Sequence, residues 1–220
     1  MATFLIIPAA GSGSRLARPE PKALVPLAGR AMLSWTLEPF AELSIEQVVV
    51  AAPPDHKPEF ERLLGDRGLV VAGGETRAAS VRAGFYSLRW SAGDVVCIHD
   101  AARPFVTKTE IARVLEEAQR TGGAIAATPI VDTIKKVQDM RIMGTLDRTG
   151  FYAAGTPQAF RAELLSKVFA TGRESTDEAA LFELEGLSVS AVVVSRLGFK
   201  ITHPEDLEIA EAVLRKRMNP

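Results

Sequence analysis

Cysteine, tryptophan and tyrosine are nearly missing from these 220 residues, with one, two and two copies. The lone cysteine, Cys97, excludes a disulfide within the chain, and its place in Val95-Val96-Cys97-Ile98 predicts a core position. Neither sign of charge is in excess: Lys plus Arg is 26, Asp plus Glu is 27, and the net charge is −1. That balance excludes the broad basic field with which a protein holds nucleic acid or an acidic membrane, so any anion site is local. No apolar run approaches the length of a membrane span. The chain enters a strand almost at its first residue, which predicts neither signal nor transit peptide and a cytoplasmic protein. Histidine is scarce too, and His56 and His203 have no neighbours at metal-ligand spacing.

What is abundant is apolar residue of moderate size, 47% of the chain, enough for a sizeable core in one domain spanning 1–220. Apolar runs alternate with helical patterns, which predicts an α/β fold, a mostly parallel sheet flanked by helices. Strands are expected at 4–7, 47–51, 69–72, 94–99 and 124–129, a return to the sheet at 152–156, and late strands at 189–194 and 199–202. Helices are expected at 31–40, 58–64, 77–88, 108–120, 161–170, 179–184 and from 204 to about 217. Three capping boxes announce helices: Thr107 with Glu110, Ser175 with Glu178, and Thr202 with Glu205. Residues 132–148 break the pattern. They are polar and β-branched without helical period, and read as two exposed strands around Gln138-Asp139-Met140. A charged two-stranded arm is marginal alone, which points to a second subunit as its support.

The stretch from Pro8 to Arg30 follows the first strand and carries Ala9, Ala10, Gly11, Ser12, Gly13 and Ser14, then Arg15, Arg18 and Lys22, with Pro19 and Pro21 before the lysine. Glycine lets backbone N–H groups approach a bulky anion, and successive free N–H groups make a concavity for phosphate oxygens. The cations supply full charge where a transferring phosphoryl group needs it. Leu16 stands where the dinucleotide fingerprint wants a third small residue, and the Gly-Lys-Ser/Thr ending of the Walker loop is absent. Ligands of open α/β sheets collect beyond the carboxyl ends of the strands. There lie Gly73-Gly74-Glu75-Thr76-Arg77, His99-Asp100-Ala101-Ala102-Arg103-Pro104, Asp132-Thr133, Thr156-Pro157-Gln158 and Gly198-Phe199-Lys200. From the residues alone, Asp100 either ligates Mg²⁺ or caps the turn after it, and Arg103 either reaches phosphate or pairs with Asp100. Gly74 and Ser80 either hold a base or are a turn and an ordinary helix residue. Thr176 and Lys200 are either substrate ligands or a helix cap and a surface cation. His99 reads as a packed strand-end histidine.

The loop, strand then A-A-G-x-G-x-R-L and P-K, resembles that of nucleotidyltransferases that activate sugar or polyol phosphates. HDAARP at 99–104, GGETRAASV at 73–81, VDTIKK at 131–136, LDRTG at 146–150, TPQAF at 156–160, STDEA at 175–179 and FKITHPEDL at 199–207 narrow the resemblance over nearly the whole chain. They are similar to the 2-C-methyl-D-erythritol 4-phosphate cytidylyltransferase family. The resemblance implies a Rossmann-like domain with a protruding arm at 132–148, a homodimer with arm exchange, and the joining of methylerythritol phosphate to CTP with Mg²⁺. It implies catalytic roles for Arg15 and Lys22, and cytosine recognition by Ala10, Gly74 and Ser80. Ala9, Gly11, Gly13, Glu75, Ala101 and Arg103 would complete the nucleotide site, with Asp100 holding the metal and triphosphate. Thr176 and Lys200 would bind methylerythritol phosphate together with Thr133 and Arg148 from the other subunit. Glu75 departs from the aspartate that the family often has there. Competing readings are a ribitol-5-phosphate cytidylyltransferase, a uridylyl- or guanylyltransferase, and a nucleotide sensor without turnover.

Overall fold

A computed structural model of the chain describes every residue except Ser12, Ala17, Asn219 and Pro220, and at Ser14 the backbone alone. The order of elements is β1 (Thr3–Pro8), β2 (Pro26–Leu27), β3 (Arg30–Ala31), α1 (Met32–Leu37), β4 (Gln47–Ala52), α2 (Lys57–Leu64), β5 (Leu69–Ala72), α3 (Arg77–Tyr86) and β6 (Val95–Ile98). There follow α4 (Lys108–Thr121), β7 (Gly123–Pro129), β8 (Ile134–Gln138), β9 (Arg141–Leu146), β10 (Tyr152–Arg161), α5 (Ala162–Ala170), α6 (Glu178–Leu184), β11 (Ser190–Val193) and α7 (Pro204–Met218). Seven strands form one sheet in the order β11-β7-β10-β6-β1-β4-β5. Every neighbouring pair is parallel except those made by β10, which runs antiparallel to both β6 and β7.

Alternation along β1 sorts the core into two layers, because successive side chains of a strand point to opposite faces. Phe4 and Ile6 meet Val96, Ile98 and Phe160 beneath Val81 and Phe85 of α3, Leu165 and Phe169 of α5 and Phe182 of α6. Leu5 and Ile7 meet Val50 and Cys97 above Leu33 of α1, Phe60 of α2 and Ile111 of α4. Each such side chain, fully buried, is worth roughly 1.5–3 kcal/mol of transfer free energy. β1 lies inside the sheet between β6 and β4, so the loop leaving its carboxyl end opens between the ends of those two strands. Ala210 and Leu214 of α7 close a third cluster with Leu16, Val25, Leu27 and Phe105, which braces the far side of that loop.

β10 is longer than the strand expected at 152–156 and is antiparallel. It returns directly from β7 in a long hairpin whose ladder shifts register between Ala154 and Gln158. Pro157, which has no N–H to give a ladder, sits in that break. The tip of the hairpin is drawn out into β8 and β9, which pair only with each other. This is the segment expected as the arm. From 131 to 154 every residue but Ile134 is exposed, including the apolar Val137, Met140, Ile142 and Met143.

Four local expectations are corrected. The helix expected at 31–40 is a six-residue α1 followed by a 3₁₀ turn over Glu38–Phe40, after a short β2–β3 hairpin that pattern alone did not reveal. Residues 199–202 form no strand: Ile201 N–H donates to the Ala102 carbonyl, and Phe199 packs on Phe105, so this run is buried by side chains and not by a ladder. The Thr107–Glu110 box is present in both directions. The other two caps fall on aspartates. Asp177 accepts from Ala180 N–H to open α6, and the Asp206 carboxylate accepts from the N–H groups of Thr202 and His203 to open α7.

Candidate active site

The carboxyl ends of β1, β5 and β6 converge on a cleft of about 270 Å³. Its walls bring together Ala9, Ala10, Gly11, Gly13, Arg15 and Lys22 from the first loop, Gly74, Glu75 and Ser80 from the second, Asp100 and Ala101 from the third, and Lys200 from the segment before α7. These are residues singled out in the sequence, drawn from four separate stretches. Ser12 of the same loop lies outside the described residues.

The first loop is built to bring backbone and cation to one place. Ala9 N–H donates to the Ala51 carbonyl, continuing the sheet by one residue before the chain turns away. Gly13 has φ +66°, and a Cβ there would stand 3.0 Å from Lys22 Cβ. Only glycine gives both the left-handed turn and the close approach that sets Lys22 beside the loop. Gly11 is different, because a Cβ on it would meet nothing within 4 Å among the described residues. Its bareness serves no packing and leaves the peptide open to a ligand. Lys22 starts a 3₁₀ turn after Pro21, and the buried Ala23 anchors that turn in the core. Burial, then the charges of Lys200 and Arg15, push the Lys22 amine down to about 8.

Asp100, on the third loop, is the focus of the charges. Its Oδ1 accepts from Arg77 Nε at 3.2 Å, and its Oδ2 lies 2.8 Å from Lys200 Nζ and 3.5 Å from Arg103 Nε. Burial would raise its pKa, but Lys200 and Arg77 outweigh burial and hold it well below the usual carboxylate range. The backbone of this loop is fixed from behind. Asp100 N–H donates to Thr156 Oγ1 at 2.9 Å, that hydroxyl lies 3.1 Å from His99 Nδ1, and His99 Nε2 lies 3.1 Å from the Arg103 carbonyl. A carbonyl only accepts, so Nε2 carries the proton and Nδ1 accepts from Thr156. Burial pushes His99 down to about 4, so it stays neutral near pH 7 and acts as a rigid strut, in line with its reading as a packed histidine.

On the second loop, Thr76 caps α3 by accepting from Ala79 N–H. The Ser80 hydroxyl accepts from Gly74 N–H at 3.1 Å and lies within donating distance of the Thr76 and Gly74 carbonyls. It holds the turn that presents Gly74 and Glu75 to the cleft.

Four of the residues singled out do not line the cleft. Arg103 stands behind Asp100, where Nη1 donates to the Gly198 carbonyl, while Nε is buried without a hydrogen bond. Thr176 is exposed, two residues before α6. Thr133 and Arg148 are exposed at the base of the arm, where the Arg148 guanidinium donates to the Val131 carbonyl. The cleft also contains residues to which sequence reasoning assigned no ligand role, among them Arg77, named only within the second loop, and Thr202, read only as part of a capping box. Arg77 is clasped by the buried Glu178, whose position in the STDEA motif was the one available signal.

Among the described residues no cluster of three or more His, Cys, Asp or Glu side chains could by itself hold a metal. The cleft offers the buried carboxylate of Asp100, held by Arg77 and Lys200, and the exposed one of Glu75. That donor set fits Mg²⁺, which keeps waters and takes one or two carboxylates beside phosphate oxygens, and suits a metal that arrives with a triphosphate.

A family model for 2-C-methyl-D-erythritol 4-phosphate cytidylyltransferase matches residues 3–216. The chain belongs to this family. The cytidylyltransferase of Acidobacterium capsulatum is 38% identical over 236 residues, covering 99% of each chain. That of Thermus thermophilus is 39% identical over 219 residues, covering 98% of each. Among solved structures, a Thermus thermophilus family member superposes with a TM-score of 0.85 at 36% identity, covering 98% of this chain and 100% of its own. The Francisella tularensis member superposes with a TM-score of 0.83 at 30% identity, covering 96% and 99%. The family fold is therefore the mostly parallel sheet described above, and this member is a nucleotidyltransferase.

Proposed function

We propose that this enzyme joins 2-C-methyl-D-erythritol 4-phosphate to CTP, giving CDP-methylerythritol and pyrophosphate, at the cleft beyond β1, β5 and β6. The observation that carries the reading is the convergence of Arg15, Lys22 and Lys200 on a glycine loop whose Gly11 is open to a ligand. An oxygen of the alcohol's phosphate attacks the α-phosphorus of CTP, a P–O bond forms, and the bond to the pyrophosphate breaks. That oxygen is already anionic near neutral pH, so no strong base is needed, in keeping with the neutral, buried His99. The difficulty is holding one anion against another, which positioning and charge stabilisation overcome. Arg15 and Lys22 stabilise the crowded α-phosphate and the departing pyrophosphate. Ala10, Gly74 and Ser80 shape the cytosine site, with Glu75 contributing through its backbone. Asp100 would hold Mg²⁺, which when bound neutralises charge on the triphosphate. Lys200 gives up Asp100 and takes the alcohol's phosphate, next to Thr176.

Residues 1–220 act as one nucleotidyltransferase domain with 132–148 as a subdomain, working in the cytoplasm, in keeping with a single buried cysteine. Two subunits exchange arms, so that Thr133 and Arg148 of one complete the site of the other. The exposed Val137, Met140, Ile142 and Met143 support this, because a two-stranded hairpin without support is at best marginal in water and these side chains would be covered by a partner. Pyrophosphate release across a matrix of CTP, UTP and GTP with methylerythritol and ribitol phosphates tests the reading. Release that is fastest with any other pair would overturn it.

Two variants probe the cleft itself. Gly11→Ala should leave the melting temperature unchanged and raise the KM for CTP, since its methyl meets no atom of the described residues and adds bulk to the cleft wall. An unchanged KM would mean that the triphosphate lies elsewhere. Asp100→Asn keeps size and removes charge, so it should raise the Mg²⁺ concentration giving half-maximal rate. A variant that merely melts earlier, with the wild-type Mg²⁺ requirement, would leave Asp100 as a turn residue and ion-pair partner alone.

A further inference from the structure

Arg77 opens α3 and Glu178 opens α6, and the two meet although 101 positions separate them. Arg77 Nη1 donates to both Glu178 oxygens at 2.9 Å, while its Nε donates to Asp100 Oδ1 at 3.2 Å. Glu178 is 2% exposed, and the neighbouring chain is fastened to β10: Gln158 Nε2 donates to Asp177 Oδ2, and Gln158 Oε1 accepts from Ala179 N–H. Glu178 is thus a fixed point, and Arg77 is a rigid fork between it and the cleft carboxylate. The opposite oxygen of Asp100 is pulled by Lys200 at 2.8 Å.

Stability alone does not account for this arrangement. Taking a carboxylate and a guanidinium out of water offsets much of their attraction, and apolar pairs of the same volume often do as well. What an apolar pair cannot do is aim a third group. A guanidinium presents its donors in a planar fork, so fixing one arm on Glu178 fixes where the other points.

We propose that Arg77 and Glu178 are positioning residues: Glu178 locks the Arg77 guanidinium, and Arg77 keeps the Asp100 carboxylate in place when Lys200 leaves it for the substrate phosphate. Without this lock only the longer contact of Arg103 would remain on the carboxylate, and the Asp100 side chain would swing after Lys200 while the loop backbone stayed held by Thr156. The link also ties α3, beside the nucleotide turn, to the segment carrying Thr176, so its loss reaches both substrates.

The inference rests on the reaction proposed above, and the test separates the two. Pyrophosphate release by wild-type enzyme from CTP and methylerythritol phosphate is measured first, and its absence would refute that reaction. In an active enzyme, two variants are then compared with wild type, each at a temperature where circular dichroism shows it fully folded. Glu178→Gln keeps shape and one acceptor oxygen but frees the fork. The double variant Arg77→Met, Glu178→Met removes both members of the buried pair and leaves Asp100 to Lys200 and Arg103 through its Oδ2 alone. The readouts are melting temperature, kcat, KM for each substrate, and CTP affinity by calorimetry. The double variant should melt close to wild type, yet its kcat should fall roughly 10- to 100-fold, as expected when the group that orients a ligating carboxylate is lost. Glu178→Gln should move kcat the same way by less. A purely structural pair predicts that activity follows melting temperature, so a double variant regaining both would overturn the proposal. Should the double variant fail to fold, wild-type kcat and KM in Glu178→Gln would overturn it equally.

Discussion

Replacing Lys22 with alanine is expected to lower turnover about a hundred- to a thousandfold, near 3–4 kcal/mol of barrier, while methylerythritol phosphate binding stays largely intact. The expectation follows from where the amine stands. It lies in the cleft with Arg15 and Lys200, on a turn whose next residue is buried, so its direction is set before any substrate arrives. Charge accumulates at the α-phosphate and the leaving pyrophosphate only as the reaction proceeds, and a fixed cation acts most strongly there. A variant with normal turnover and only a raised KM for CTP would make Lys22 a binding residue.

The same lysine predicts a pH dependence with a definite sign. Burial and two neighbouring cations lower its pKa from 10.5 to about 8 in the free enzyme. Below pH 8 the amine is mostly charged, and as pH rises through 8 the charge is lost, so kcat/KM for CTP should decline on that limb. A bound triphosphate favours the charged form, so the limb in kcat should lie at higher pH, and binding near pH 8.5 should take up protons. Lys22→Arg keeps its charge over this range and should remove the limb, whatever its absolute rate. The same decline in the arginine variant would assign the titration to another group.

Much of this site was readable before the fold because its parts are contiguous. A glycine loop after an apolar strand, and short polar motifs after other strands, carry their chemistry within a few residues each. What was not readable depends on pairing over distance. Arg77 looks like any cation at the start of a helix until Glu178, a hundred residues on, is buried beside it. The antiparallel course of β10 leaves no mark in apolar patterning, since alternation does not record strand direction. The runs around Ser175 and Thr202 satisfied the capping-box spacing, yet Asp177 and Asp206 took the caps. Where several short polar side chains crowd a helix start, spacing alone does not choose among them. Phe199 and Ile201 carried a strand-like pattern because one is half-buried and the other buried, and burial there comes from packing with α7.

Mixing two nearly inactive variants, Arg15→Ala and Arg148→Ala, is expected to restore activity to about a quarter of all sites under two-fold symmetry. In this chain Arg148 and Thr133 stand at the base of the arm and line no part of the cleft that holds Arg15 and Lys22. The β8–β9 hairpin pairs with no strand of the main sheet, and Met140 at its tip is 93% exposed. An arm crossing to a second subunit would cover those apolar side chains and carry Arg148 to the neighbour's substrate. In a mixed dimer, the body with Arg15 intact then receives the arm with Arg148 intact, and that site is wild type. The other site of the same dimer carries both defects. Random reassortment of equal amounts makes about half the dimers mixed, and half of their sites are whole, which gives the quarter. If each site used its own arm, every site would keep one defect and mixing would restore nothing. Two affinity tags, with purification through both, isolate the mixed dimers, in which half the sites should then be active. Mixed dimers that stay as inactive as either parent would rule out exchange of the arm, while release of pyrophosphate by the wild-type enzyme would still stand as the test of the reaction itself.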